Sequence, residues 1–204
     1  MKEDAEEIKK VNKVVVTIDI VSSSLILEDL IKTDNIKRWQ DMLDQMTDYL
    51  EINKSNFSAD IYKFIGDGWI ILFEKPSSVD GFFKFISSIN QNYEKRYIND
   101  IYPYLEKPPE ISGLTFGIDE GQLIQIRMHE KQEYIGRPIN IACRLQGAIN
   151  EIDIKRGFNV FMSHRLFNSL KVYELDLYSE VTERPLRNIS EGKNFRCYRI
   201  STSK

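Results

Sequence analysis

Histidine and cysteine are scarce: the 204 residues contain two of each, His129 and His164, Cys143 and Cys197. So few histidines leave a zinc site or a histidine-based triad short of members. Two lone cysteines make no disulfide framework, which points to a reducing cytoplasm. Long apolar runs are missing as well, none approaching the roughly 20 residues that cross a bilayer, so no membrane partner is expected. The first ten residues, MKEDAEEIKK, lack the apolar centre of a secretion signal. Charge of one sign is not in excess. A formal net charge of −3 gives no electrostatic reason to expect nucleic acid or an anionic membrane surface as a partner. What is present, 42% apolar and 29% charged residues, suits a globular chain that buries a full core. The expected organisation is a flexible arm over residues 1–10 and one domain over 11–204. With imidazole and thiol so rare, a bound metal would have to be held by carboxylates, which suits Mg²⁺ or Mn²⁺.

The run KVVVTIDIV (Lys13 to Val21) is short, β-branched and almost wholly apolar, and predicts a buried strand. In the stretch that follows, Ile36, Trp39, Met42, Leu43, Met46 and Tyr49 or Leu50 repeat at helical spacing. YKFIGDGWIILF (Tyr62 to Phe73) reads as a hairpin whose glycines accept the positive φ of a tight turn. A helix capped by Ser77 or Ser78 comes next, with Phe82, Phe83 and Phe85 as core candidates. Prolines 103, 108 and 109 mark an exposed loop. GLTFGIDEGQLIQIRM predicts a second hairpin, turning at Asp119 to Gly121. RPINIACRLQGAIN predicts a helix started near Pro138. FNVFMS, KVYELDLYSEV and NFRCYRIS supply closing strands, with a short helix near His164 between the first two. Glu94-Lys95-Arg96 and Lys155-Arg156 read as solvated faces. Strands adjacent in sequence mostly pair, so the fold class is α+β, a largely antiparallel sheet with helices packed on it.

Asp19 stands among β-branched apolar residues, where a charge is costly to bury without compensation. Asp67 stands in the tight turn. If the first strand lies beside a strand of the hairpin, the two carboxylates meet at one sheet edge, where a divalent ion would relieve their repulsion. Separate roles, a helix cap for Asp19 and a turn for Asp67, fit the residues equally well.

Four segments in order, VVVTIDIVSSS, YKFIGDGWIILF, GLTFGIDEGQL and EYIGRPINIACRL, resemble the catalytic domain of class III nucleotidyl cyclases from about Lys13 to Ile200. The most specific pieces are K-x-x-G-D-G at Lys63–Gly68 and G-x-x-x-N-x-A-x-R at Gly136–Arg144. The resemblance implies a ferredoxin-like βαββαβ core. It also implies two divalent ions per site on Asp19 and Asp67, with the Ile20 carbonyl as an extra ligand. By that likeness one ion activates a ribose 3′-hydroxyl for attack on the α-phosphorus, and the other neutralises the triphosphate. Ser22, Ser23 and Ser24 would offer backbone N–H groups to phosphate oxygens.

Asn140 and Arg144, four apart on a helix, match the positions that orient the ribose and stabilise charge at the α-phosphate. Arg187 in RPLRNIS is the best match for a contact to the terminal phosphates, with Lys193 second. Lys63 and Glu133 match the two base-reading positions. Lys63 speaks against GTP, because guanylate members typically carry Glu there. Tyr62 and Trp69 stand where smaller residues are frequent, and would fill purine volume, stack on a base, or serve as ordinary strand residues. A compact chain with GDGW resembles the pyrimidine cyclases of bacterial antiphage defence, which make cyclic UMP or cyclic CMP for a separate effector protein. The family's site forms between two chains, so a homodimer is implied. Adenylate cyclase, a non-catalytic nucleotide-binding module of the same fold, and a diguanylate cyclase or polymerase with a related sheet are the competing readings. The Asn140/Arg144 helix speaks against the last.

Overall fold

The chain is described by a computed structural model over residues 8–76, 78–149, 159–189 and 193–201. The run Val14–Ile20 is apolar on both sides because β1 (Lys9–Val21) lies at the centre of the sheet. It pairs antiparallel with β3 (Gly68–Phe73) on one side and with β4 (Gly113–Met128) on the other. Val14, Val16, Ile18 and Ile20 point to one face, where they pack with Trp69, Ile71 and Phe73 of β3. Val15 points to the other, with Ile70 and Leu72. That alternation is the period of two of a pleated strand, and burial on both faces hides it from a hydrophobicity pattern.

The first face is covered by α1 (Ser23–Lys32), α2 (Ile36–Asn53) and α3 (Val79–Arg96). In α2 the buried stripe is Trp39, Met42, Met46 and Leu50, and Ile36 is left outside it. In α3 Phe82, Phe83 and Phe85 are buried, as their spacing predicts, and the Ser78 hydroxyl caps the helix by accepting from the Gly81 N–H at 3.0 Å. Completing the core is β2 (Ala59–Ile65), which pairs with β3. The sheet order β2-β3-β1-β4 with helices between β1 and β2 and between β3 and β4 is the ferredoxin-like βαββαβ arrangement. Beyond β4 the sheet continues through β6 (Asn159–Ser163), β8 (Asn194–Ser201) and β7 (Tyr178–Pro185), with β6 parallel to β4. The α5 helix (His164–Ser169) begins at His164, whose ring stacks on Tyr198. On the second face, α4 (Arg137–Gln146) and β5 (Lys131–Ile135) cover Val15, Ile70 and Leu72.

Three expectations are corrected. GLTFGIDEGQLIQIRM is one continuous strand with no turn at Asp119 to Gly121. Asp119 is buried opposite Val15, and its carboxylate accepts from the Ser163 hydroxyl at 2.5 Å and faces the Arg165 guanidinium. These partners hold a charged residue in mid-strand, and burial still pushes its carboxyl above the usual range. The real hairpin turn is His129-Glu130, both at positive φ, which no glycine or asparagine announced. Second, β7 begins at Tyr178, and Val172–Glu174 forms a 3₁₀ turn where a strand was expected. Third, β1 begins at Lys9, where Lys9 and Lys10 pair with Gln125 and Ile124, so the expected arm loses its last two residues. Residues 1–7, Ser77 and Lys155-Arg156 lie outside the described residues.

Where α4 crosses β4, Gly117 permits contact at backbone distance. A Cβ there would sit 2.0 Å from the Ala142 carbonyl oxygen and 2.4 Å from the Gln146 nitrogen. Both obstacles are backbone, so Gly117→Ala must lift α4 off the sheet. The expected loss in denaturant unfolding is at the upper end of overpacking costs, about 3 kcal/mol or more. A variant as stable as the parent would contradict this packing.

Candidate functional site

Asp19 is placed by the pairing of β1 with β3, whose last partner, Gly68, stands opposite it. Asp67 precedes Gly68 in a two-residue turn closed by the Ile65–Gly68 pair. Gly66 takes the first position at φ 73°, a conformation that L residues resist, and this leaves Asp67 at the second with its side chain free to turn inward. The two carboxylates come together closely enough for the charge of one to act on the other. Burial first, and then the Asp67 charge, push the Asp19 carboxyl up to about 6. Among the described residues neither group belongs to an ion pair. Two close carboxylates with no cationic side chain in an ion pair with either are a donor set suited to a hard divalent ion. No third histidine, cysteine or acidic side chain joins them among the described residues, so further ligands would come from backbone, water or substrate.

Ile20 lies one position beyond the part of β1 that β3 pairs, and it lines a groove with Asp19 and Ser22, Ser23 and Ser24. Ser22 adopts a left-handed φ of 59° ahead of α1, and its hydroxyl donates to the Ile111 carbonyl at 2.8 Å. It therefore shapes the entry to the helix, leaving the N–H groups of the first turn toward the groove. Gln146 and Thr115 also line this groove. Sequence reading missed both, although Gln146 follows Arg144 by two positions.

Asn140, Arg144 and Arg187 line a second groove, with Cys143 and Leu186 at its wall. Lys193 lies exposed just before β8 and does not line it. Arg144 and Gln146 are about 200° apart around a helix of 3.6 residues per turn. Arg144, with Asn140 one turn before it, thus lines a groove other than the one that Asp19 and Gln146 line in the same chain.

Lys63, Glu133 and Tyr62 form a third cluster. A bulge in β2 between Ile61 and Lys63 turns two successive residues, Tyr62 and Lys63, to the second face of the sheet. The Lys63 ammonium lies 2.5 Å from Glu133 Oε2, and the Tyr62 hydroxyl donates to the same oxygen at 2.5 Å. Tyr62 in turn accepts from the Tyr134 N–H at 2.9 Å. The Lys63 ammonium and then the Tyr62 hydroxyl hold the Glu133 carboxyl below its usual range, and the same bond to Glu133 raises Lys63. Oε2 is spent on these two donors, which leaves Oε1 and two ammonium hydrogens as a paired acceptor and donor.

Trp69 belongs elsewhere. It is fully buried on the first face, with its indole N–H donating to the Thr47 hydroxyl at 3.1 Å. Of the three sequence readings, strand and core residue is the one that holds. It neither stacks on a ligand nor fills a ligand's volume.

No family model matches the chain, and no curated protein matches it in sequence. Its fold, however, is shared with solved cyclases. The adenylyl cyclase CyaB from P. aeruginosa superposes with a TM-score of 0.71 at 17% identity, over 97% of each chain. The guanylyl cyclase Cya2 gives 0.68 at 14% identity, over 96% of this chain and 95% of that one. A non-canonical dimeric guanylyl cyclase domain of the RhoGC fusion protein from the aquatic fungus Blastocladiella emersonii gives 0.64 at 12%, over 97% and 98%. Among the described residues no helix is long and apolar enough to cross a membrane.

Proposed function

We propose that the protein is a class III nucleotidyl cyclase, converting a nucleoside triphosphate to its 3′,5′-cyclic nucleotide and pyrophosphate. The observation that carries this reading is the meeting of Asp19 and Asp67 at the open end of β1, neither in an ion pair among the described residues. Mg²⁺ or Mn²⁺ bound there would supply charge neutralisation for the triphosphate and a more acidic 3′-hydroxyl. The backbone N–H groups at Ser23 and Ser24 bind phosphate oxygens at a helix start. Asn140 orients the ribose, Arg144 stabilises charge developing at the α-phosphate, and Arg187 holds the terminal phosphates. Since Asn140 and Arg144 line a groove other than the one that Asp19 lines in the same chain, each complete site takes its carboxylates from one chain and its helix from another. A twofold homodimer with two sites satisfies this.

The preferred substrate is UTP or CTP, and the cyclic product is a cytoplasmic second messenger for a separate effector protein in antiphage defence. Support comes from Tyr62, which the bulge sets beside the reading pair, where its ring takes up room next to the base. A second reading, ATP, is favoured by the withdrawal of Trp69 into the core, which returns volume to the pocket. The discriminating experiment incubates the purified protein separately with ATP, GTP, CTP and UTP plus Mn²⁺ and resolves products by mass. Cyclic UMP or cyclic CMP is expected. A linear dinucleotide, or no product, contradicts the cyclase reading, and cyclic AMP alone contradicts the pyrimidine assignment.

Tyr62→Phe removes one of the two donors on Glu133 while keeping the ring. The expected result is a KM for the preferred nucleotide raised about 3- to 10-fold, with weaker discrimination between bases and a smaller effect on kcat. Unchanged selectivity would show that Glu133 needs no such support.

A further inference from the structure

Helix α4 lines the Asp19 groove of its own chain as well as presenting Asn140 and Arg144 to another groove. Its last residue, Gln146, donates from Nε2 to the Thr115 hydroxyl at 3.0 Å. Thr115 stands directly opposite Asp19 across β1 and β4, is buried, and donates to the Asp19 carbonyl at 3.4 Å. Gln146, Thr115 and Asp19 line the same groove, which brings the Gln146 amide alongside the Asp19 carboxylate. A primary amide has two N–H groups, and the bond to Thr115 takes one and leaves the other to face the groove that Asp19 lines. The position of Gln146 is set by packing, because the crossing at Gly117 brings its backbone against β4.

We infer that Gln146 is a positioning residue, holding the Asp19 carboxylate turned toward Asp67 in the arrangement that binds a divalent ion. The inference rests on the metal-dependent reading above. The choice of residue has a physical reason. A lysine or arginine there would neutralise the carboxylate and compete with the cation, whereas a neutral donor orients the carboxylate and leaves its charge available. One helix then serves two sites in a dimer, fixing the metal ligand of its own chain with one face and supplying Asn140 and Arg144 to the partner's with the other.

The test uses the full chain and Mn²⁺ alone, titrated by the electron paramagnetic resonance signal of the free ion, with melting profiles in parallel. Gln146→Met keeps length and helix propensity but has no donor. Thr115→Val removes the anchor of the amide and keeps its shape. Gln146→Met is expected to weaken Mn²⁺ binding about tenfold at an unchanged melting profile. Thr115→Val is expected to weaken it by less, and turnover in both shifts to higher Mn²⁺ in parallel. Wild-type Mn²⁺ affinity in both variants, or weakening only in proportion to lost thermal stability, overturns the inference. Should Gln146→Met fail to fold, Thr115→Val decides alone. A failure of the underlying reading has a different signature, since wild-type protein would then bind no Mn²⁺, and this inference would fall with it.

Discussion

Chains carrying Asp67→Ala and chains carrying Arg144→Ala are each expected to be nearly inactive alone, and an equimolar mixture to recover about one quarter of wild-type turnover. The figure follows from the geometry. Random exchange makes half of the dimers heterodimers, and each of these has one of its two sites intact. The other site collects both lesions. The reason to expect a divided site lies in α4, where Arg144 and Gln146 are on opposite sides and only Gln146 reaches the Asp19 groove of the same chain. On the proposed reading, Asp67→Ala removes charge that would fix the cations. Arg144→Ala would remove a donor used mainly in the transition state, so its expected cost is about 100- to 1000-fold in kcat with little change in KM. Native mass spectrometry shows whether exchange has occurred. Exchanged dimers without recovered activity would mean that each chain completes its own site.

Asp67→Asn is expected to have two large and opposite effects. Turnover is lost with the carboxylate. In metal-free protein, however, the melting temperature rises by about 2–4 °C, because the substitution relieves the charge that presses on a half-buried Asp19. Adding Mn²⁺ stabilises the wild type and closes this gap, while the variant responds little. A metal-free variant that melts no higher than the parent would show that the two carboxylates do not oppose one another. Active sites commonly hold such destabilising pairs, and here the pair is expected to cost stability until the cation arrives.

Much of the candidate site's placement was legible in the residues because its pieces are local. The turn at Gly66 to Gly68, the four-residue spacing of Asn140 and Arg144, and the apolar strand carrying Asp19 each depend on neighbours in sequence. What was not legible depends on partners far along the chain. Asp119 reads as a turn residue until Ser163, 44 positions later, supplies its hydrogen bond. The β2 bulge leaves no mark in YKFI, yet it decides that Tyr62 and Lys63 share a face. Trp69 looked available to a ligand because strand alternation in a run buried on both sides does not say which face is which. Gln146 was within reach of helical geometry. It was passed over because a glutamine near a helix end signals nothing without Thr115 opposite.

The central claim is that Asp19 and Asp67 together hold divalent cations beneath a nucleotide's phosphates. The most direct measurement is the anomalous scattering of Mn²⁺ in crystals grown with a non-cyclisable pyrimidine nucleoside triphosphate. Two anomalous peaks bridging the Asp19 and Asp67 oxygens, with the Asn140 and Arg144 of a second copy reaching the α-phosphate, are the predicted result. Manganese elsewhere on the triphosphate, with the two carboxylates turned apart, would contradict the account.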